Sequence, residues 1–213
     1  MTFQVNGLAR GSRQQCPHCL RALCICHLVQ QQVSSTRLLI WQHPNEVHHV
    51  KGSGRLLHLC LPDSVIISAE HLRLQQVLEF AQLESSDELA LLYPNDDLAG
   101  AFASSQIADC SKLKTLVLLD ASWRDSRKLL RLNPYLLDLP RYALQHSYAP
   151  RYRIRKAHKA GQLSSMEAGI YALSEINKTR RSDRVLADSP FNAAALLSVF
   201  DAFVDKQAAY FLP

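Results

Sequence analysis

The sequence predicts an α/β fold, a mainly parallel sheet flanked by helices, with a small N-terminal four-cysteine metal-binding element ahead of it. Three observations carry that prediction. The run Leu116, Val117, Leu118, Leu119 is continuously apolar over the length of a strand, as expected where a strand is buried on both faces. Short runs of this kind alternate with amphipathic stretches of helical spacing, the pattern that builds right-handed βαβ crossovers. Four of the six cysteines crowd into CPHCLRALCIC, before the first strand.

The 213 residues, 47% hydrophobic, can bury a sizeable core as one large domain with an appendage. We place the appendage at residues 1–34 and the α/β domain at residues 35–213. No run of about 18 apolar residues occurs and the N-terminus lacks a signal peptide's apolar stretch, so a soluble, cytoplasmic protein without a membrane partner is expected. The net charge of +5 is unevenly spread. Residues 112–184 hold 16 of the 24 Lys and Arg against 6 Asp and Glu. A polyanion facing the C-terminal half, or merely a solvated basic face, accounts for such asymmetry. Oligomeric state is left open, a monomer included.

In chain order, Cys16, Cys19, Cys24 and Cys26 come first. Four thiols this close, in a chain read as cytoplasmic, fit a tetrahedral metal site better than disulfides. Zinc is expected; an iron–sulfur cluster would accept the same four thiolates. His18 and His27 flank them as bystanders or supporting donors. Cys60 and Cys110 stand in apolar contexts and read as core thiols.

The first strand is TRLLIWQHP, stopped by Pro44. His43, His48 and His49 follow as polar loop residues without a metal-ligand pattern. A turn carrying Gly52, Ser53, Gly54 and Arg55 then precedes a second apolar run at residues 56–61; its glycines permit close backbone approach, and Arg55 can meet a carboxylate or a phosphate. A short strand at residues 65–68 leads to an amphipathic helix within residues 69–83. ELALLYPND is the next strand, ending on Leu92, Tyr93 and Pro94, followed by an Ala-rich helix at residues 98–108.

The stretch TLVLLDASWRDSRKLLRLNP organises the rest. Asp120, Ser122 and Trp123 sit where the buried strand gives way to a helix, and open α/β sheets place ligand sites at the carboxyl ends of their strands. An ordinary helix cap explains an Asp or Ser there as well. The helix presents Arg124, Arg127, Lys128 and Arg131 over one broad face. A strand at residues 142–146 leads to SYAPRYRIRKA, where Arg151, Arg153, Arg155 and Lys156 interleave with aromatics as on a nucleic-acid surface. Ser164, Ser165 and Glu167 open a helix with a Ser-x-x-Glu capping box. A last helix, residues 190–210, covers the sheet.

The four cysteines, GSGRLLHLCLP, LLYP, LDASWRDSRKL, YRIRKA and LSSMEA, in this order, resemble the DTW-domain proteins, tRNA-uridine aminocarboxypropyltransferases related to the knotted SPOUT enzymes. The likeness runs from Cys16 to the last helix. The family's Asp-x-Thr-Trp reads here Asp120, Ala121, Ser122, Trp123, so Ser keeps the hydroxyl and drops the methyl. The resemblance implies a SPOUT-like fold and transfer of the 3-amino-3-carboxypropyl group from S-adenosylmethionine to N3 of a tRNA uridine, in the variable loop for bacterial members, forming acp3U. It further implies catalytic roles for Asp120, Ser122 and Trp123 and a cofactor site among Gly54, Arg55, Leu92, Tyr93, Pro94, Asp120, Ser164, Ser165 and Glu167. Uridine N3–H must lose its proton to attack, and Asp120 is the carboxylate able to take it or to orient the ring. A SPOUT-like RNA methyltransferase and a non-catalytic zinc-dependent RNA-binding module are the rival readings.

Overall fold

A computed structural model describes residues 15–94, 107, 110–154, 162–182 and 191–211. Five strands form one parallel sheet: β1 (Arg37–Gln42), β2 (Val65–Ser68), β3 (Leu89–Leu92), β4 (Thr115–Asp120) and β5 (Arg141–Tyr142), in the order β2-β1-β4-β3-β5. The helices are α1 (Gly54–Cys60), α2 (Leu74–Ala81), α3 (Trp123–Leu132), α4 (Ser165–Ser182) and α5 (Ala193–Phe211). The α/β class and the parallel sheet expected from the sequence are therefore present.

Strand parity sorts the core into two layers. Leu38, Ile40, Leu116, Leu118, Ala90 and Leu92 face a cluster built with α1, α4 and α5, and Cys19 and Ile25 of the cysteine segment join it. Leu39, Trp41, Val117, Leu119, Leu89 and Leu91 face the opposite cluster, built with α2 and α3. Every residue of β4 is buried, as its unbroken apolarity requires in the middle of a sheet covered on both faces. Parity also decides where the polar ends of the strands point. Gln42 and Asp120 continue the Leu38–Ile40 and Leu116–Leu118 series and are register partners across β1 and β4.

Helix α4 lies close to the sheet because Gly169 admits it: a Cβ there would come within 2.7 Å of Leu57 and 3.2 Å of Leu38. Near its end, Arg180 is buried and donates to the carbonyls of Cys110, Leu113 and Ser35, tying two loops to the helix. A residue counted toward the basic half is thus a structural strut.

Several expected boundaries move. The apolar run at residues 56–61 is helical: Gly54 and Arg55 leave the expected turn and open α1, whose Leu56, Leu57 and Cys60 turn one face to the core. The strand expected at residues 142–146 stops at Tyr142, because the backbone N–H groups of Gln145 and His146 are taken by the Glu175 carboxylate instead of a neighbouring strand. Helix α2 starts only at Leu74, where Gln76 caps Arg73. The helix expected at residues 98–108 falls outside the described residues except for Ile107, whose N–H donates to the Arg141 carbonyl.

Candidate functional site

Asp120 is the last residue of β4 and is 2% exposed. Its Oδ2 accepts a 2.7 Å hydrogen bond from Gln42 Nε2, and its carbonyl accepts from the His43 N–H at 3.0 Å. Gly54, the first residue of α1, lies directly against the carboxylate: a Cβ on it would stand 2.2 Å from Oδ2. Only glycine allows this approach. Asp120 is not a helix cap. That role belongs to Ser122, whose Oγ accepts from the Asp125 N–H at 3.2 Å and donates to the Asp125 carboxylate at 2.8 Å. Burial pushes Asp125 up, but the Ser122 hydroxyl and the nearby charges of His43, Arg124 and Lys128 outweigh it and leave that carboxyl below its ordinary value.

The expected catalytic trio is divided by the sheet. Asp120 turns toward α1, while Trp123 lies on the α2 and α3 side, its ring edge-on to Tyr93 at 6.0 Å. Of the expected cofactor residues, Gly54 touches Asp120, and Leu92, Tyr93 and Pro94 end the adjacent strand β3. Arg55 donates Nε to the His18 carbonyl at 3.0 Å, anchoring the cysteine segment. The start of α4 reaches the same region, since the Met166 N–H donates to Ser53 Oγ at 3.2 Å. Ser164 and Glu167 cap each other there, and Glu167 also accepts from the Arg151 N–H. Ser165 is half-buried.

The sulfurs of Cys16, Cys19, Cys24 and Cys26 lie within 4.8 Å of one another, with Cys16 and Cys26 3.7 Å apart. Tetrahedral Zn–S bonds of about 2.3 Å require sulfur separations of about 3.8 Å, so the donor set fits that ion. The backbone N–H groups of Cys19 and His18 draw the Cys16 thiol down to about 6, which readies a thiolate; burial drives Cys26 the other way, to about 12. Cys60 and Cys110 are buried thiols away from this group, as expected.

Arg21, inside the cysteine segment, escaped the sequence reading. Its guanidinium donates to the Val50 and Gly52 carbonyls and lies 5.0 Å over the Phe203 ring. The segment thereby faces the loop after β1 across a cavity of about 150 Å³, bounded by Leu23, Gln42, Glu46, Val50 and Arg55 among others.

The cations are unevenly available. Arg124 and Arg131 are exposed, Arg127 is half-buried, and Lys128 pairs with Glu70 at 2.8 Å. Arg151 and Arg153 are matched against Asp201 and Asp205 of α5. Those pairs stand in solvent and are cheap to exchange for phosphate. Arg155 and Lys156 lie outside the described residues. On the far side, Glu175 collects the Tyr142 and Tyr148 hydroxyls, His146 and two backbone N–H groups, and Tyr148 stacks on Tyr171 at 3.7 Å. No helix among the described residues is long and apolar enough to cross a membrane.

Comparison with known proteins adds a family. A family model described as the DTW domain matches residues 13–208. The chain is 28% identical over 174 residues to a Mus musculus protein named tRNA-uridine aminocarboxypropyltransferase 2, and 25% identical over 173 residues to its Macaca fascicularis namesake. Each match covers 78% of this chain and 57% of the relative, so the chain spans little more than half the length of the curated relatives it matches. No solved structure matches the chain.

Proposed function

Because the chain belongs to the DTW-domain family, we propose that it transfers the 3-amino-3-carboxypropyl group of S-adenosylmethionine to N3 of a tRNA uridine, giving acp3U. The observation that carries the reading is Asp120, a buried carboxylate at the carboxyl end of the central strand, fixed by Gln42 and pressed against Gly54. An anion held there suits both a cationic sulfonium and an acidic N–H. When bound, the donor supplies an electrophilic carbon: its C–S bond breaks as the N3–C bond forms, the electron pair leaves on sulfur, and the N3 proton passes to a base.

Asp120 is that base or orients the ring toward it, and its fixed carboxylate serves either task. Gly54 and Arg55, the end of β3 at Leu92, Tyr93 and Pro94, and the α4 start at Ser164, Ser165 and Glu167 form the donor side; Trp123, on the other side of the sheet, supports it through Tyr93, and Ser122 keeps the Asp120 turn in place by capping α3. Arg124, Arg127, Lys128 and Arg131, with Arg151, Arg153, Arg155 and Lys156, meet the tRNA backbone. Zinc on the four cysteines is structural, since all four positions of a tetrahedron are then filled by protein. The reading extends to a SPOUT-like, knotted chain path, to action in the cytoplasm and, as in bacterial members, to a uridine of the variable loop.

Mass spectrometry of tRNA nucleosides from cells with and without the protein tests substrate and product together. Expected is acp3U that disappears with the gene. Label from the donor's methyl appearing in tRNA would instead make the protein a methyltransferase. Intact function of Asp120→Asn would leave only an RNA-binding module.

A further inference from the structure

The cavity between the cysteine segment and the loop after β1 borders the Asp120 site through Gln42 and Arg55, and the rest of its lining has no role in the assignments above. Its lining is mixed in chemistry. It is lined by Leu23 of the cysteine segment and Val50 of the loop after β1, large apolar side chains left 38% and 54% exposed. Also lining it are Gln42 and Glu46, each 5% exposed, and Gln42 is the side chain that holds Asp120. Arg55, whose guanidinium keeps donors beyond the one given to His18, completes a polar side.

Such a cavity matches a planar heterocycle with apolar faces and a polar edge. Its volume of about 150 Å³ is small beside the ~300–1,000 Å³ of sites for drug-sized ligands, so it does not hold a whole nucleoside cofactor. It suits one nucleobase. Enzymes that do chemistry on a base turn it out of its stack into a pocket that contacts the faces with apolar groups and the pairing edge with polar ones. We infer that this cavity receives the acceptor uracil, its faces against Leu23 and Val50 and its N3 edge toward Gln42 and the Asp120 carboxylate beyond. The inference rests on the transferase reading and gives the cysteine segment a purpose: it is one wall of the base pocket, held to the opposite wall by Arg21.

Leu23→Ala and Val50→Ala remove half-exposed apolar groups, so folding should survive; melting temperature and metal content confirm that for each. Expected is a rise in the KM for tRNA of about 3- to 10-fold, with the affinity for S-adenosylmethionine unchanged. Weakened S-adenosylmethionine binding with an unchanged tRNA KM would assign the cavity to the donor's methionyl end and overturn the proposal. No change in either would overturn it as well. Photocrosslinking of the full-length protein to tRNA carrying 4-thiouridine reads contact without turnover. Adducts at residues 20–23 or 46–50 support the pocket, and adducts confined to α3 or residues 148–154 refute it. Should no acp3U form in any assay, the transferase reading fails, while the crosslink still decides whether a base enters this cavity.

Discussion

Asp120 and Gly54 make the sharpest pair at the scale of single residues. A methyl group on Gly54 has nowhere to go, because the carboxylate it meets is short, buried and already fixed by Gln42. Gly54→Ala should therefore swing Asp120 away, lower the melting temperature and reduce acp3U formation by at least about 100-fold. Asp120→Asn should keep the fold while weakening S-adenosylmethionine binding and losing a comparable factor in turnover, measured as acp3U per enzyme. Of this pair, Asp120 was legible in the sequence from its place after an apolar strand. Gln42 and Arg21 were not, since a glutamine at a strand end and an arginine between cysteines carry no signal until register sets the one beside the carboxylate and docking sets the other on the Val50 and Gly52 carbonyls.

Among the elements, α3 and α4 can be tested through their polar attachments. Ser122 caps α3 by a reciprocal bond with Asp125, so Ser122→Ala should cost about 1 kcal/mol and lower the melting temperature by about 2–4 °C. Glu175 fastens the chain after β5 to α4. Burial pushes its carboxyl up, but the Gln145 N–H, His146, Tyr142 and Tyr148 pull it lower still, and the net result is below the ordinary value. A depressed folded-state value means that this group's stabilisation is present above the unfolded carboxyl value of about 4.3 and is lost as pH falls through the folded one. Acid unfolding followed by circular dichroism should thus be less steep below about pH 4 in Glu175→Gln, which is also less stable at pH 7. The strand expected at residues 142–146 failed for the same reason: sequence patterns register β-propensity, not a carboxylate arriving from residue 175.

For the molecule as a whole, the charge asymmetry and the cysteine segment set the remaining expectations. Several cations of the basic half are engaged within the fold, Arg180 in the core and Lys128, Arg151 and Arg153 in ion pairs. The surface pairs, that of Arg124 with Asp125 at 3.7 Å included, open readily to phosphate, and Arg124→Ala should reduce the salt dependence of tRNA binding by about one unit of slope, at nearly uniform loss across tRNAs. Metal content should be one ion per chain, and Cys16→Ala with Cys19→Ala should release it. The order of apolar and amphipathic segments determined the α/β class and the parallel sheet, and the spacing of four cysteines their cluster, because these depend on local pattern along the chain; the family was legible through the resemblance of its ordered motifs. The tertiary structure decided which strand ends meet, that Asp120 faces α1 while Trp123 faces away, and that the cysteine segment closes over a cavity beside them. Those are matters of parity, register and close approach, which arise only when segments far apart in the chain compete for the same space.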